Sequence, residues 1–186
     1  MISVLLVDDE PVILDIARAF LERHGEFNVT TIQSAREALT TLEENTFDAV
    51  VSDYEMPEMN GLEFLRTIRE MGNLIPFIIF TGRGREDVVI EALNIGADYY
   101  IQKGGDPRAQ FTELAYKIRE AVRKRKEVHA AVTQDHIREK LVRHIHALSE
   151  LVDKLEQTGL DEEQITFVQE SKKHVREVLI SFGERV

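Results

Sequence analysis

The N-terminal two-thirds of the chain alternate short, almost solidly apolar runs with longer segments whose apolar residues recur every three or four positions. The runs at 2–7, 27–32, 47–51, 75–80 and 98–101 are rich in β-branched or aromatic residues and bounded by turn formers, which predicts five strands. Between them, Val12, Ile16 and Phe20, then Ala35, Ala38 and Leu42, then Leu62, Leu65 and Ile68, then Val88, Ala92 and Leu93 each line one face of a helix. Strands alternating with helices predict an α/β fold with a parallel sheet covered on both sides. In such a sheet the functional groups lie at the carboxyl ends of the strands, beside the switch point in strand order. Two helix starts are legible: Ser34 with Glu37 has capping-box spacing, and Asp106-Pro107 is a cap followed by a residue suited to the first turn.

Beyond Pro107 the pattern changes. All four prolines and eight of the ten glycines fall before residue 108, so the remainder reads as long helix. Phe111, Leu114, Ile118, Ala121, Arg125, Val128 and Val132 form one apolar register. Ile137, Leu141, His144, Leu148, Leu151 and Leu155 form a second, offset by about one residue, which predicts a bend or stutter near Thr133. Thr158-Gly159-Leu160-Asp161 reads as stop, turn and N-cap, and Ile165, Val168, Lys172, Val175, Leu179 and Phe182 continue as a return helix. The predicted units are residues 1–122 and a helical hairpin at 123–186. Two amphipathic helices bury little by themselves, so the hairpin is expected to form a four-helix-bundle homodimer. The alternative is docking back onto residues 1–122, and the dimer is favoured because a helix of nearly fifty residues would project about 75 Å from them.

Composition narrows the function classes. With no cysteine among 186 residues, disulfides, thiolate metal sites and cysteine nucleophiles are excluded. No apolar run is long enough for a membrane span and no secretory signal opens the chain, so a cytoplasmic location without membrane partners is expected. The net charge of −11 lies wholly in residues 1–122, where 22 acidic side chains face 11 basic ones; residues 123–186 hold 12 of each. That balance argues against nucleic acid as a partner, because phosphate binding requires clustered Lys and Arg. The run Arg123-Lys124-Arg125-Lys126, followed by Glu127, reads as a solvated helix face.

Within the first unit the acidic groups are placed at strand ends. Asp8, Asp9 and Glu10 follow the first strand and Asp53 ends the third. Carboxylates converging from neighbouring strands repel unless a cation neutralises them, and an open oxygen set suits Mg²⁺. An Asp after a strand also serves as a helix cap, which would account for Asp9 or Glu10 but not for Asp53. Thr81 ends the fourth strand and Lys103 the fifth. A carboxylate, a hydroxyl, an ammonium and a divalent cation are what phosphoryl transfer onto an aspartate requires.

The motifs Leu5-Leu6-Val7-Asp8-Asp9-Glu10, Ser52-Asp53-Tyr54-Glu55-Met56-Pro57-Glu58-Met59-Asn60-Gly61, Phe80-Thr81-Gly82 and Tyr100-Ile101-Gln102-Lys103 resemble, in this order and spacing, a response-regulator receiver domain of two-component signalling. The resemblance implies a flavodoxin-like sheet ordered 2-1-3-4-5 with five helices. It implies Asp53 as acceptor of a phosphoryl group from a partner histidine kinase, and Asp8, Asp9, Asp53 and the Glu55 carbonyl as Mg²⁺ ligands. Thr81 and Lys103 would hold the phosphoryl group, and Tyr100 would turn inward after Thr81. Tyr99 points to the other face of its strand and so does not share that role. Where the family usually has a cis proline after the lysine, this chain has Gly104-Gly105, which predicts a looser loop. Glu55 and Arg83 add charges that tune phosphate lifetime.

Residues 134–184 bear a fainter resemblance to the dimerisation and phosphotransfer hairpin of sensor kinases, with the His-Asp order reversed at Asp135-His136. That implies a degenerate hairpin that dimerises. Mg²⁺-dependent self-phosphorylation from a phosphodonor and slow autodephosphorylation are the activities expected, and autokinase activity from ATP is not. The alternative is a phosphotransfer protein relaying phosphate between Asp53 and a tail histidine, for which His136 and His146 are better placed than His144 on the apolar register.

Overall fold

A computed structural model describes residues 1–82, 86–156 and 162–181. Five parallel strands, β1 (Ile2–Val7), β2 (Phe27–Ile32), β3 (Ala49–Ser52), β4 (Phe77–Thr81) and β5 (Tyr99–Gln102), form one sheet in the order β2-β1-β3-β4-β5. The helices are α1 (Pro11–Glu22), α2 (Ala35–Glu44), α3 (Gly61–Glu70), α4 (Glu86–Ile95), α5 (Pro107–Glu156) and α6 (Glu162–Ser181). The order reverses between β1 and β3, so the carboxyl ends of these strands flank the switch point.

β3, β4 and β5 begin one or two residues later than the apolar runs suggest. Pro76 has no N–H to give the ladder and contributes only its carbonyl, to the Val50 N–H at 2.8 Å. Asp48 and Asp98 sit just before β3 and β5, where each carboxylate accepts a neighbouring strand's N–H, from Ser3 at 2.9 Å and from Phe77 at 2.8 Å. These aspartates close the sheet's starting edge and take no part in the site at the other end.

Both faces of the sheet are buried. On one, Val4, Leu6 and Phe80 pack with Leu14 and Ala17 of α1 and with Phe111, Leu114 and Ile118 of α5. On the other, Leu5, Val50 and Phe77 pack with Ala38, Phe64, Leu65, Ile68 and Ala92 of α2, α3 and α4. Sandwiching explains the unbroken apolar character of β1, β3 and β4.

The helix starts correct one expectation. Ser34 occupies the N-cap of α2 with extended backbone, but its side chain makes no capping hydrogen bond. The full capping box lies instead at α3. Asn60 Oδ1 accepts the N–H groups of Leu62 and Glu63 at 3.0 Å each, and Glu63 Oε2 accepts the N–H of Asn60 at 3.0 Å. α5 opens as expected, with Asp106 Oδ2 accepting the Ala109 N–H at 3.1 Å.

The chain divides into two compact units, Met1–Lys126 and Glu127–Val186, and the anticipated division after residue 122 falls inside α5. α5 passes Thr133 without interruption. The anticipated stop, turn and N-cap at 158–161, and Phe182, lie outside the described residues. Among the described side chains of α5 in the second unit, Val142 and Ile145 are half-buried, whereas Ile137 and Leu141 of the predicted register are 53% and 45% exposed. On α6, Val168 and Leu179 are buried and Lys172 and Val175 half-buried, as the periodicity indicates, but Ile165 is exposed. One chain supplies a single return helix, which covers only one face of its neighbour.

Candidate functional site

The strand ends open into a cavity of about 460 Å³ lined by Asp9, Glu10, Asp53, Glu55, Thr81, Gly82 and Lys103. The residues singled out in the sequence thus converge there, although Asp8 and Lys103 are 95 positions apart. Asp8 lies beneath the lining, 2% exposed, and its Oδ1 accepts the Glu10 N–H at 3.0 Å. Asp53, also buried, is held through both backbone and side chain: its N–H donates to the Val7 carbonyl at 2.8 Å, and its Oδ2 accepts the Glu55 N–H at 2.6 Å. Thr81 is buried at the end of β4, and its carbonyl accepts the Lys103 N–H at 2.6 Å, which sets the exit direction of β5.

The centre of the site is the Lys103 ammonium. Nζ donates to Asp8 Oδ2 at 2.5 Å and to Asp53 Oδ1 at 2.7 Å, with only 14% of the lysine side chain exposed. Burial pushes the Asp8 carboxyl above its ordinary value, and the hydrogen bond and charge of Lys103 offset only part of that. Burial would pull the Lys103 ammonium down, but hydrogen bonds to Asp53 and Asp8 and the charge of both carry it above its ordinary value. The lysine therefore stays protonated and acts as the counter-ion of two carboxylates.

The donor set fits Mg²⁺ by its chemistry: all oxygen, few in number, and open on one side. Asp9 and Asp53 line the cavity and Asp8 lies against it, while two of the three carboxylates are already paired with Lys103. Among the described residues, no three acidic or histidine side chains form a ready-made cage. Tyr99 and Tyr100 take opposite faces of β5. Tyr99 packs on the α1/α5 side, where the Lys124 ammonium donates to its hydroxyl at 2.9 Å, and Tyr100 packs on the other. Arg83 lies outside the described residues.

Residues 4–115 match the family model of the response regulator receiver domain. The chain belongs to that family. Its receiver is 37% identical over 129 residues to response regulator SaeR of Staphylococcus aureus, a match covering 69% of this chain and 54% of that protein. The chain therefore spans about half the length of the curated relatives it matches. Among solved structures, a receiver domain from Clostridium thermocellum is similar at 31% identity and a TM-score of 0.61, covering 69% of this chain and 99% of that one. A CheY-like receiver from Methanospirillum hungatei is similar at 29% identity and a TM-score of 0.59, covering 67% and 98%. Among the described residues no helix is long and apolar enough to cross a membrane.

One feature of the receiver site was not read from the sequence, and a second was read there only as a looser loop. Gly61, the first residue of α3, donates its N–H to the Tyr54 carbonyl at 2.9 Å, and a Cβ there would stand 2.2 Å from the Asp53 carbonyl oxygen. Its signal was the Asn60-Gly61-x-Glu63 pattern, a capping box with glycine just inside the helix. The second is the loop after Lys103. Gly104 and Gly105 have φ of +154° and +79°, a path on which proline, locked near −65°, cannot be placed. The absent proline thus reflects a different backbone route as well as a freer one. Gly104→Pro is expected to lower the stability of the receiver by roughly 2 kcal/mol. A urea midpoint equal to that of the wild type would refute this.

Proposed function

We propose that the receiver is a phosphorylation-controlled switch in which Asp53 accepts a phosphoryl group from a phosphohistidine of a partner histidine kinase. The reading rests above all on the Lys103 ammonium spanning Asp8 and Asp53 at the mouth of an open crevice. A carboxylate oxygen of Asp53 attacks phosphorus, the donor's P–N bond breaks, and the imidazole leaves. Asp8, Asp9, Asp53 and the Glu55 carbonyl would hold Mg²⁺, which supplies positive charge for the transferring oxygens. Lys103 keeps its proton and moves its second hydrogen bond from Asp53 to a phosphoryl oxygen. The Thr81 hydroxyl donates to another. The new charge of about −1.5 to −2 then favours the state in which Thr81 is drawn toward the phosphoryl group and Tyr100 follows. The tail reads the change out through homodimerisation or partner binding. The excess negative charge of residues 1–122 disfavours duplex DNA as a direct partner of the receiver, and a cytoplasmic location fits this role.

Incubation with a small acyl phosphate and Mg²⁺ is expected to add one phosphoryl group by intact-mass measurement, lost on treatment with base, and Asp53→Asn is expected to add none. An unchanged wild-type mass, or equal labelling of the variant, refutes the reading. Onward transfer to the tail is the competing reading, favoured only by the exposure of His136 and His146 on α5. Acid-labile, base-stable label on either would support it.

A further inference from the structure

We propose that a second copy of this chain covers the apolar face left open by the tail, about a two-fold axis running along the helices. This rests on the reading that the tail associates with itself, and it adds the face, the direction and the register.

Only five residues separate α5 from α6, too few for the two to share one compact unit unless α6 runs antiparallel to α5. Val142 and Ile145 mark the side of α5 turned toward α6, and Val168, Val175 and Leu179 mark the facing side of α6. At about 100° per residue, Ile137, Leu141 and His144 lie roughly 70–130° round α5 from its inward side. Phe167, His174 and Val178 lie roughly 80–120° round α6 from its own. Seen from one end, antiparallel helices wind in opposite senses, so both sets come out on the same side of the hairpin. Phe167 is 70% exposed there, and Leu148, Leu151 and Leu155 continue the α5 stripe in the sequence.

Charge selects the occupant. Lys140 lies sixteen residues before the end of α5 and Glu177 fifteen after the start of α6, so they stand at one height, on opposite outer edges of this face. Among the described residues neither belongs to an ion pair within the chain. A two-fold axis parallel to the helices sets α5 of one copy beside α6 of the other, and Lys140 meets Glu177 of the second copy twice. An axis across the helices sets α5 on α5 and α6 on α6, so the Lys140 edge meets its own copy and the Glu170–Glu177 edge meets its own. The face is thus complementary to itself under one operation only. His144 and His174, each twelve residues from its end of the turn, also come opposite one another between copies. Their Nδ1 atoms lie 2.7 Å and 2.8 Å from the carbonyl oxygens of Lys140 and Glu170, which aims each Nε2 away from its own helix.

The chain has no cysteine, so the register can be read by cross-linking in the full-length protein. Mixed H144C and H174C proteins are expected to join between chains through a short bifunctional thiol reagent, and neither variant to join to itself. Lys140→Glu is expected to weaken the dimer roughly three- to tenfold, and Lys140→Glu with Glu177→Lys to restore it. Self-linking of H144C, or no link in the mixture while sedimentation shows a dimer, overturns the arrangement. A monomer at micromolar concentration overturns self-association itself and leaves the face to a different protein.

Discussion

Replacing Lys103 by methionine is expected to lower the melting temperature of the receiver by roughly 10 °C at neutral pH without added metal. The substitution keeps the apolar stem and removes the ammonium that donates to Asp8 and Asp53 at 2.5 and 2.7 Å. Two buried carboxylates are then left without a counter-ion, and removing one member of such a group costs about 3 kcal/mol or more. For a chain of this size that corresponds to roughly 3 °C per kcal/mol. The sign of the pH dependence follows. In the wild type the Lys103 ammonium is raised above its ordinary value, so its contribution is complete below that value and is lost only as alkaline pH passes the folded one. Asp8 is raised above the ordinary carboxylate value, so it costs stability at neutral pH and the cost is relieved as pH falls through its folded value. Lys103→Met exposes that second effect, and the deficit should narrow as the solution is acidified. Adding Mg²⁺ should narrow it as well, by supplying another counter-ion. Melting curves with and without Mg²⁺ across the acid range test this, and a variant as stable as the wild type at neutral pH contradicts it.

Gly61→Ala should cost about 3 kcal/mol and slow labelling by an acyl phosphate roughly 10- to 100-fold. The new Cβ would overlap the Asp53 carbonyl oxygen and crowd the Tyr54 Cα at 3.1 Å, and both neighbours are backbone that cannot rotate away. Relief requires displacing either the start of α3 or the peptide that carries the acceptor. Gly82→Ala is the control, since a Cβ there meets nothing within 4 Å and its stability should match the wild type. Chemical denaturation of both variants, with initial labelling rates, distinguishes a local steric clash from a general intolerance of alanine. Wild-type stability in Gly61→Ala would show that α3 can move away without cost.

Much of the receiver was legible because its signals are local. An apolar run flanked by turn formers becomes a strand wherever it lies, and a three-and-four spacing becomes a helix face, so the five strands and their alternation with helices emerge from neighbours along the chain. The Ser34 cap shows where local spacing stops short: the backbone takes the N-cap conformation, yet the side-chain bond is not made. The tail shows it more strongly. Periodicity marks two apolar registers on α5 but does not say which one a return helix will cover, and the half-buried Val142 and Ile145 belong to neither.

By itself the sequence determined the type and order of the elements and the chemical groups carried to the strand ends, because both are properties of short segments and their repeat. Tertiary structure alone decided how those groups pair: that Lys103, fifty residues from Asp53 and ninety-five from Asp8, serves both, that Gly61 must lack a Cβ, and that the tail leaves Ile137 and Leu141 facing outward. These are contacts between distant segments, and they exist only once the sheet has brought its strand ends together and α6 has taken its side of α5.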